Sequence, residues 1–275
     1  MKIDAHHHFW KFDPAEYGWI SDRMTVLRHD FLPADLKKEI EQAGVDGVVS
    51  VQARQTIEET NWLLDLADEH DFIKGVVGWV PLASANVREH LDAVAVRPML
   101  KGIRHIVQDE PDERFILRDD FNAGVTALAD YDLVYDILIY ERHLPQAIEF
   151  VDRHPMQVFV LDHLAKPRAK DHMLEPWRKN LRRIAEREHV CCKLSGLVTE
   201  ANWKDCTDEG LSIYLETVMD AFGPRRVMFG SDWPVCLLAS SYQRWHDMVA
   251  RFCDKLSSDE QARIMGGTAI DVYRL

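Results

Sequence analysis

Short apolar runs recur along the chain, and the segments between them carry apolar residues three or four positions apart. The runs are continuous rather than alternating, which is typical of parallel strands covered on both faces, and the spacing between them is typical of amphipathic helices. Strands are predicted at residues 3–5, 45–51, 72–80, 100–103, 133–139, 157–161, 190–194 and 227–229. Helices are predicted at residues 33–43, 58–70, 85–94, 119–129, 144–152, 174–187, 211–222, 243–253 and 258–265.

Eight strand–helix units in 275 residues match a single-domain α/β fold, a TIM-like (β/α)8 barrel over residues 1–275. A doubly wound open sheet is the alternative, because periodicity does not distinguish the two folds. Residues 9–32 separate the first strand from the first helix and are rich in aromatic side chains. A loop of this length in a compact domain is usually functional, so we expect it to lie over the barrel mouth.

The composition narrows the classes of function. A formal net charge of -13 argues against nucleic acid or an anionic membrane as a partner. No run approaches the ~20 apolar residues of a membrane span, and the first residues do not resemble an export signal, so we expect a cytoplasmic protein. The five cysteines lack zinc-ligand spacing and are expected to be reduced and mostly buried. Whether the chain forms a homo-oligomer stays open.

Polar residues follow the ends of the predicted strands, and the densest group of them follows the first strand. Side chains alternate along a strand, so His6 and His8 should point to one side and His7 to the other. Two imidazoles that converge in this way form half of a metal or anion site. A lone strand-end aspartate is more often a turn residue, and a lone histidine is more often a packed one. Several strands ending this way are more informative, and they contribute Gln52 and Arg54, Arg104 or His105, Asp162 or His163, Ser195, and Asp232.

Four segments resemble the amidohydrolase superfamily, namely residues 4–10 (DAHHHFW), 102–105 (GIRH), 161–167 (LDHLAKP) and 229–234 (FGSDWP). The branch they resemble holds lactonases of sugar acids and of aromatic dicarboxylates. Residues 192–200 (CKLSGLVTE) and 228–238 are most similar to its sugar lactonases. The resemblance extends from Lys2 to Tyr273 and implies a hydrolase that opens a sugar lactone, the expected small-molecule partner, to the aldonic acid.

The resemblance also implies a catalytic centre made of His6, His8, His163 and Asp232. Many superfamily members complete a two-metal centre with a lysine or histidine at the end of strand four or five. Here the fifth strand ends at residues 139–142 (IYER), which offer no obvious inward ligand. We therefore expect these four residues to hold either one divalent metal, with zinc as the first choice, or none.

Lactone hydrolysis needs a base for water, a cation for the oxyanion and a proton for the leaving alkoxide. Asp232 is the expected general base, and His6, His8 and His163 either hold the metal or polarise the carbonyl directly. The remaining strand-end and loop candidates are expected to bind the oxyanion, the hydroxyls or the face of the sugar. They are Gln52, Arg54, Arg104, His105, Lys166, Trp10 and Trp233.

Two other classes of function remain open. A metal-dependent decarboxylase, or a dicarboxylate lactonase, would use the same histidines and aspartate on a planar acid. A non-catalytic sugar-acid-binding protein would keep the pocket but would have no use for Asp232 beside three histidines. A panel of lactones, with and without a chelator, separates these alternatives.

Overall fold

The computed structural model describes residues 1–204 and 207–275. Its centre is one parallel sheet whose eight strands follow each other in chain order around a nearly closed barrel, which confirms the predicted fold class. The strands are β1 (Ile3–His7), β2 (Gly47–Val51), β3 (Ile73–Gly78), β4 (Leu100–His105), β5 (Val134–Ile137), β6 (Phe159–Leu161), β7 (Val190–Leu194) and β8 (Val227–Phe229).

Helices cover the outside of the barrel close to the predicted positions. They are α1 (Pro33–Ala43), α2 (Ile57–Glu69), α3 (Val87–Ala95), α4 (Asp119–Ala127), α5 (Leu144–Arg153), α6 (Trp177–Ala185), α7 (Leu197–Glu200), α8 (Asp208–Phe222), α9 (Tyr242–Cys253), α10 (Ser258–Ala262) and α11 (Thr268–Tyr273). Helix α1 shows why the boundaries could be predicted. Pro33 occupies its first turn, where no intrahelical N–H is needed, and Gly44 ends it in the left-handed conformation (φ 64°).

The last predicted helix, residues 258–265, ends earlier as a regular α-helix, at Ala262. A π-helical turn at Arg263–Gly267 follows it and leads into α11, which was not predicted. A side chain at Gly266 would lie 2.3 Å from the carbonyl oxygen of Met1, so glycine allows this turn to pack against the start of β1. The close approach lets Tyr273 enter the bottom of the barrel, where it is fully buried in the inner apolar cluster.

Strand β1 is longer than predicted and contains a β-bulge. Asp4 pairs with Val48 and His7 pairs with Ser50, so β1 has one residue more than β2 between these pairs. The bulge interrupts the alternation of side chains. Ala5 packs in the inner cluster, and the next residue, His6, also faces the barrel interior.

The long loop over residues 9–32 is fixed to the barrel rather than extended into solvent. Trp10 and Phe31 exchange backbone hydrogen bonds of 3.0 and 2.9 Å, which close the loop at its base. The Trp10 indole N–H donates to the carbonyl of His29 at 3.0 Å. The loop also contains one turn of 3-10 helix, Thr25–Leu27, and a β-bridge between Trp10 and Phe31.

A polar clasp joins the tip of this loop to the end of β2. The Arg54 guanidinium pairs with Glu16 of the loop and lies 3.7 Å from Glu59 of α2. It also stacks over the Tyr17 ring at 5.1 Å. The Glu59 carboxylate accepts the backbone N–H groups of Ala53 (2.9 Å) and Arg54 (2.7 Å). The clasp therefore couples the loop to the β2–α2 turn.

Glu59→Gln should remove part of the pH dependence of stability. Burial raises the pKa of Glu59 to about 7 from its ordinary 4.5, so the folded chain holds a proton that the unfolded chain releases. The wild type loses this stabilisation as the pH rises from 4.5 to 7, by on the order of 1 kcal/mol per pH unit. Glutamine keeps the acceptor oxygen but does not titrate, so the free energy of unfolding of the variant minus that of the wild type should increase over this range.

Urea unfolding at about pH 5, 6 and 7.5 measures this difference. The exposed neighbour Glu58 in the same helical turn provides the control, and Glu58→Gln should show no such pH dependence. A Glu59→Gln difference that stays constant with pH would contradict the prediction.

Two expectations from composition can be compared with the described residues. Four cysteines are free and buried, as predicted: Cys191, Cys192, Cys236 and Cys253. Cys206 lies outside the described residues. Within residues 1–204 and 207–275, no helix has the length and apolar character of a membrane span.

Candidate active site

His6 and His8 converge at the C-terminal end of β1, as the sequence predicts. Their Nε2 atoms lie 3.2 Å apart. Since His8 Nδ1 is 2.8 Å from the carbonyl oxygen of Val51, Nδ1 donates its proton there, and in the neutral ring Nε2 is the acceptor nitrogen. His7 points to the other side, where it contacts the Ser50 hydroxyl at 2.9 Å.

Asp232 faces this pair from the loop after β8. Its backbone is in the left-handed region (φ 57°), and its N–H donates to the His6 carbonyl at 2.8 Å. The carboxylate Oδ1 lies 3.4 Å from His8 Nε2, 3.7 Å from His6 Nε2 and 3.9 Å from His163 Nε2. Burial alone would raise the pKa of Asp232, but His163 and His8 outweigh it and lower the pKa. Asp232 is therefore ionised at neutral pH.

His163 is presented by a left-handed turn at the end of β6. The four successive residues from His163 to Lys166 all have positive φ, between 48° and 58°, a conformation that costs non-glycine residues roughly 1–2 kcal/mol each. Interactions hold the turn: Lys166 N–H donates to the His163 carbonyl (2.7 Å), and Trp177 Nε1–H donates to the Leu164 carbonyl (2.7 Å). The turn directs the side chains of both His163 and Lys166 to the same cavity.

The His163 ring is fixed from the side of β7. Its Nδ1 lies 2.9 Å from the Ser195 hydroxyl. A Cβ on Gly196 would lie 2.5 Å from the same nitrogen, and Gly196 has a positive φ of 63°, so this position requires glycine. Burial lowers the pKa of His163 to about 4. The imidazole is therefore neutral at neutral pH, and its Nε2 faces Asp232.

A layer of buried charges lies directly below these residues. Lys193 of β7 pairs with Asp136 of β5 (2.5 Å) and with Asp162 (3.0 Å), and its Nζ is 3.2 Å from His6 Nδ1. Arg104 of β4 pairs with Asp162 at 2.9 Å. Burial alone would raise the pKa of Asp162, but Lys193 and His6 lower it well below the ordinary range. This layer supports His6 from beneath.

The catalytic candidates open into a cavity of about 120 Å³ at the barrel mouth. Its walls differ in chemistry. The ends of β6, β7, β8 and β1 contribute His163, Lys166, Thr199, Asp232, Val235 and His8. The ends of β2, β4 and β5 and the long loop contribute Ala53, Arg104, Ile106, Gln108, Asp109, Leu138 and Trp19. The second group holds four of the apolar lining residues, Trp19, Ala53, Ile106 and Leu138, together with the polar Arg104, Gln108 and Asp109.

The structure brings five predicted site residues to this cavity: His8, Arg104, His163, Lys166 and Asp232. His6 lies just beneath them and is fully buried. Burial holds the pKa of His6 well below its ordinary value, although Asp162 acts in the opposite direction. The predicted convergence of strand-end residues is thus present for these six positions. Their catalytic and binding roles stay predictions.

Three polar candidates do not line the cavity. Gln52 is buried beneath Arg104, and its side-chain N–H donates to the Arg104 carbonyl at 3.2 Å. Arg54 is held in the clasp described above. His105 accepts the Trp79 indole N–H at 3.2 Å and donates to Glu110 at 2.7 Å. In each of them, polar side-chain atoms contact other protein groups and do not line the cavity.

The two tryptophans predicted to stack on a sugar are packed inside the protein instead. Trp10 is fully buried, with its ring edge-on to Phe31 at 5.3 Å. Trp233 is 2% exposed and meets Phe31 edge-on at 5.1 Å. Trp10 therefore packs within the long loop, and Trp233 packs the loop against the segment that follows β8. The aromatic residue that this loop does contribute to the cavity is Trp19, which is 37% exposed.

Reasoning from sequence missed Asp4, Asp136 and Lys193, although a signal was present. Each is a charged residue inside a predicted strand that is otherwise apolar. Since charged side chains are almost never fully buried without a partner, a lysine and an aspartate within such strands indicate an internal ion pair. Trp19 and Leu138 carry no comparable signal, because nothing in the sequence specifies which loop residue faces inward.

The donor atoms at the mouth have the spacing of a single metal site. A tetrahedral zinc with ligands at about 2.0–2.1 Å separates its ligand atoms by about 3.3 Å. His6 Nε2, His8 Nε2 and Asp232 Oδ1 are 3.2, 3.4 and 3.7 Å apart. In the first set, Arg104 Nη1 lies 3.3 Å from His6 Nε2. A second grouping, His6 with Asp162 and His163, is less suitable because both Asp162 oxygens already face cations, Lys193 at 3.0 Å and Arg104 at 2.9 Å. Among the described residues, the first set therefore suits one divalent ion.

Comparison with known proteins agrees with this geometry. The profile of the amidohydrolase family matches residues 3–275. The chain belongs to this family. An L-fucono-1,5-lactonase of Burkholderia multivorans is 42% identical, with 100% of this chain and 96% of that protein aligned. An L-fucono-1,5-lactonase of Burkholderia ambifaria is 36% identical over the same shares, 100% and 96%.

Solved structures include a near match. A crystal structure of an amidohydrolase from Burkholderia multivorans with bound zinc superposes with a TM-score of 0.97. It is 42% identical to this chain, and the superposition covers 100% of this chain and 99% of the other.

Proposed function

We propose that the chain hydrolyses a sugar lactone, most specifically L-fucono-1,5-lactone, to the open aldonate. The structural support for this proposal is the arrangement of Asp232 and three histidines. An ionised Asp232 carboxylate faces His6, His8 and the neutral His163 at the base of a cavity of about 120 Å³. The two L-fucono-1,5-lactonases that are 42% and 36% identical over the whole chain support the choice of substrate.

The residues of this chain divide the reaction between them. Asp232 takes a proton from water, and the water oxygen forms a bond to the lactone carbonyl carbon. Arg104 and Lys166, which line the same cavity, supply positive charge near the developing oxyanion, and His163 offers its Nε2 as a neutral hydrogen-bonding group. When the bond from the carbonyl carbon to the ring oxygen breaks, the ring oxygen leaves as an alkoxide and takes the proton held by Asp232.

His6 Nε2, His8 Nε2 and Asp232 Oδ1 are the atoms that would hold one divalent ion. When bound, such an ion supplies positive charge that polarises the carbonyl and lowers the pKa of water. On its other side, His6 Nδ1 lies 3.3 Å from Asp162 Oδ1 and 3.2 Å from Lys193 Nζ. A carboxylate behind a ligating histidine orients the ring, and here the Lys193 ammonium shares that side of the ring.

The two sides of the cavity support a deoxy-sugar substrate. With the carbonyl placed against Asp232 and His163, the far end of a six-carbon lactone would face Ile106 and Leu138, the residues that follow β4 and β5. These side chains offer apolar contact to a methyl group and no hydrogen bond to a hydroxymethyl group. A 6-deoxy lactone would therefore be preferred to its hydroxylated counterpart.

A pH-indicator assay tests the proposal with L-fucono-, L-galactono- and D-arabinono-lactones, aromatic dicarboxylate lactones and hydroxybenzoic acids. Acid release from sugar lactones is the expected result. Turnover of an aromatic acid with loss of CO₂ would favour the decarboxylase, and binding of aldonates without turnover of any compound would favour a binding protein. Either outcome would overturn the lactonase proposal.

Ile106→Thr should weaken the preference for a 6-deoxy lactone. The wild type should favour L-fuconolactone over L-galactonolactone by about tenfold or more in kcat/KM, as a single group in an apolar pocket provides. A hydroxyl in that wall should lower this ratio by roughly three- to tenfold. Val235→Thr is the matched control, since Val235 lines the cavity beside Asp232 and its replacement should leave the ratio unchanged. Equal ratios in the wild type and the Ile106 variant would refute the assignment of this wall.

Purified protein should contain no more than about one equivalent of divalent metal. The donor set described above supplies about the three protein ligands that one catalytic zinc needs. Elemental analysis after dialysis, with His8→Asn as the variant expected to lose the ion, provides the measurement. Two tightly held equivalents would show that ligands outside this set take part.

A further inference from the structure

The barrel closes at the active site without a regular strand ladder. Strands β1 to β7 each pair with the next strand in sequence, whereas β1 meets the segment after β8 through an isolated bridge between His7 and Trp233. The N–H of Asp232 donates to the His6 carbonyl at 2.8 Å, and the N–H of His8 donates to the Trp233 carbonyl at 2.7 Å. We call this junction between residues 6–8 and residues 231–233 the seam. The relative positions of His6, His8 and Asp232 depend on it.

A single carboxylate oxygen joins the two sides of the seam. Asp4 Oδ1 accepts the N–H of Ser231 at 2.8 Å and the N–H of His6 at 3.1 Å. Ser231 immediately precedes Asp232, so one atom fixes the backbone on both sides of the pair formed by His6 and Asp232. Asp4 is fully buried and lies on the opposite side of β1 from the cavity, so it does not contact substrate.

Further hydrogen bonds around Asp4 stabilise the seam. The Ser231 hydroxyl accepts the Trp233 N–H at 2.9 Å and approaches the His6 carbonyl at 3.3 Å. From α9, the Trp245 indole N–H donates to the Gly230 carbonyl at 2.9 Å. These bonds orient the segment that carries Asp232, and Asp4, which lies in β1, adds a carboxylate oxygen that accepts a backbone N–H from each side.

We propose that Asp4 is a positioning residue for the hydrolytic reaction: its carboxylate sets the separation between the His6–His8 pair and the Asp232 carboxylate. The inference rests on the proposed lactonase function. Asp232 Oδ1 lies 3.7 Å from His6 Nε2 and 3.4 Å from His8 Nε2. Misplacement of reacting groups by about 1 Å can cost about 10²-fold in rate, so loss of the acceptor at the seam should affect turnover more than substrate binding.

The role requires an acceptor oxygen in the right place, which distinguishes it from a requirement for charge. Asp4→Ala removes the oxygen and leaves two buried N–H groups without an acceptor. Asp4→Asn retains an oxygen that can accept both bonds. Asp46→Ala is the matched control, because Asp46 also accepts a backbone N–H beside the first strand, that of Lys2 at 2.7 Å, but does so at the exposed end remote from the site.

The experiment measures kcat and KM for L-fuconolactone together with amide hydrogen exchange of the peptides that contain His6 and Ser231. Asp4→Ala should lower kcat by about 10–100-fold, the usual effect of losing a supporting partner behind a catalytic group, with KM changed less than about threefold. Exchange at His6 and Ser231 should accelerate. Asp4→Asn should restore kcat to within a few-fold of the wild type, and Asp46→Ala should match the wild type in all measurements. Should Asp4→Ala not fold, Asp4→Ser takes its place, with an intermediate loss expected.

Two results would overturn the inference. One is a kcat for Asp4→Ala equal to that of Asp46→Ala despite faster exchange at the seam, since the seam would then be structural only. The other is a loss in Asp4→Asn as large as that in Asp4→Ala. If the wild type hydrolyses no lactone at all, the proposed function fails instead, a result that the wild-type assay alone reveals.

Discussion

Asp232→Asn should lower kcat for the lactone by about 10²–10⁴-fold, the usual cost of losing a positioned general base. The amide cannot accept a proton from water near neutral pH. Asparagine tolerates the left-handed conformation that residue 232 adopts (φ 57°), and its N–H still donates to the His6 carbonyl. The fold and the affinity for the aldonate product should therefore be nearly unchanged, as judged by thermal unfolding and by calorimetric titration.

Asp109→Asn is the matched control for this prediction, because Asp109 also lines the cavity but stands on the β4 side, away from the three histidines. It should change kcat by less than about tenfold. His163→Asn should also slow turnover. The losses in the Asp232–His163 double variant should not add, since both residues act on one water and one carbonyl. Near-full activity of Asp232→Asn would mean that Asp232 is a turn residue and that another group activates water.

The barrel is predictable from sequence because its strands are buried on both faces. Such strands must be apolar along their whole length, and the segments between them must be apolar on one side. The ends of regular elements are less visible. β5 ends at Ile137, two residues before the predicted end, and β6 begins at Phe159, two residues after the predicted start. Local pattern does not specify where the curvature of a barrel ends a hydrogen-bonded ladder.

The site could be predicted in part for the same reason. His6, His8 and Asp232 follow directly after apolar strands, and parallel strands bring such residues to one face. The extra residue in β1 and the left-handed turn at His163 could not be predicted, because tertiary contacts stabilise both conformations. The turn contains no glycine between His163 and Lys166, so the usual indicator of positive φ is missing.

The tryptophans illustrate a different limit. Composition alone indicates that an aromatic loop lies over the mouth, and the structure places that loop against the barrel. Whether a given ring faces substrate or core depends on where the loop closes. The hydrogen bonds between Trp10 and Phe31 turn Trp10 inward and leave Trp19 at the cavity. Such a long-range pairing has no sequence signature.

Lys193→Met should destabilise the protein by about 3–5 kcal/mol, the usual cost of removing one partner from a buried ion pair. Lys193, Asp136 and Asp162 have no exposed side-chain surface, and Lys193 contacts both carboxylates. Methionine matches the length of lysine but offers no charge or donor. Asp162 would keep Arg104 at 2.9 Å, and Asp136 would keep the Tyr273 hydroxyl at 2.8 Å, so Asp136 would lose its cation entirely.

The loss should grow with pH, which distinguishes it from a simple packing defect. Burial already raises the pKa of Asp136 to about 6, and Lys193 acts against that increase. Without Lys193 the pKa should rise further, so the folded variant would hold a proton that the unfolded chain releases, and its stability would fall as the pH increases through the neutral range. Urea unfolding at about pH 5.5 and 8 should therefore give a larger difference from the wild type at pH 8.

Adding Asp136→Asn should recover part of the loss, because it removes the carboxylate that has no cation. Lys101→Met is the control, since this strand lysine donates to the Arg274 carbonyl at an exposed site and its removal should cost less than about 1 kcal/mol. A pH-independent loss, or no recovery in the double variant, would show that Lys193 contributes through packing and not through its charge.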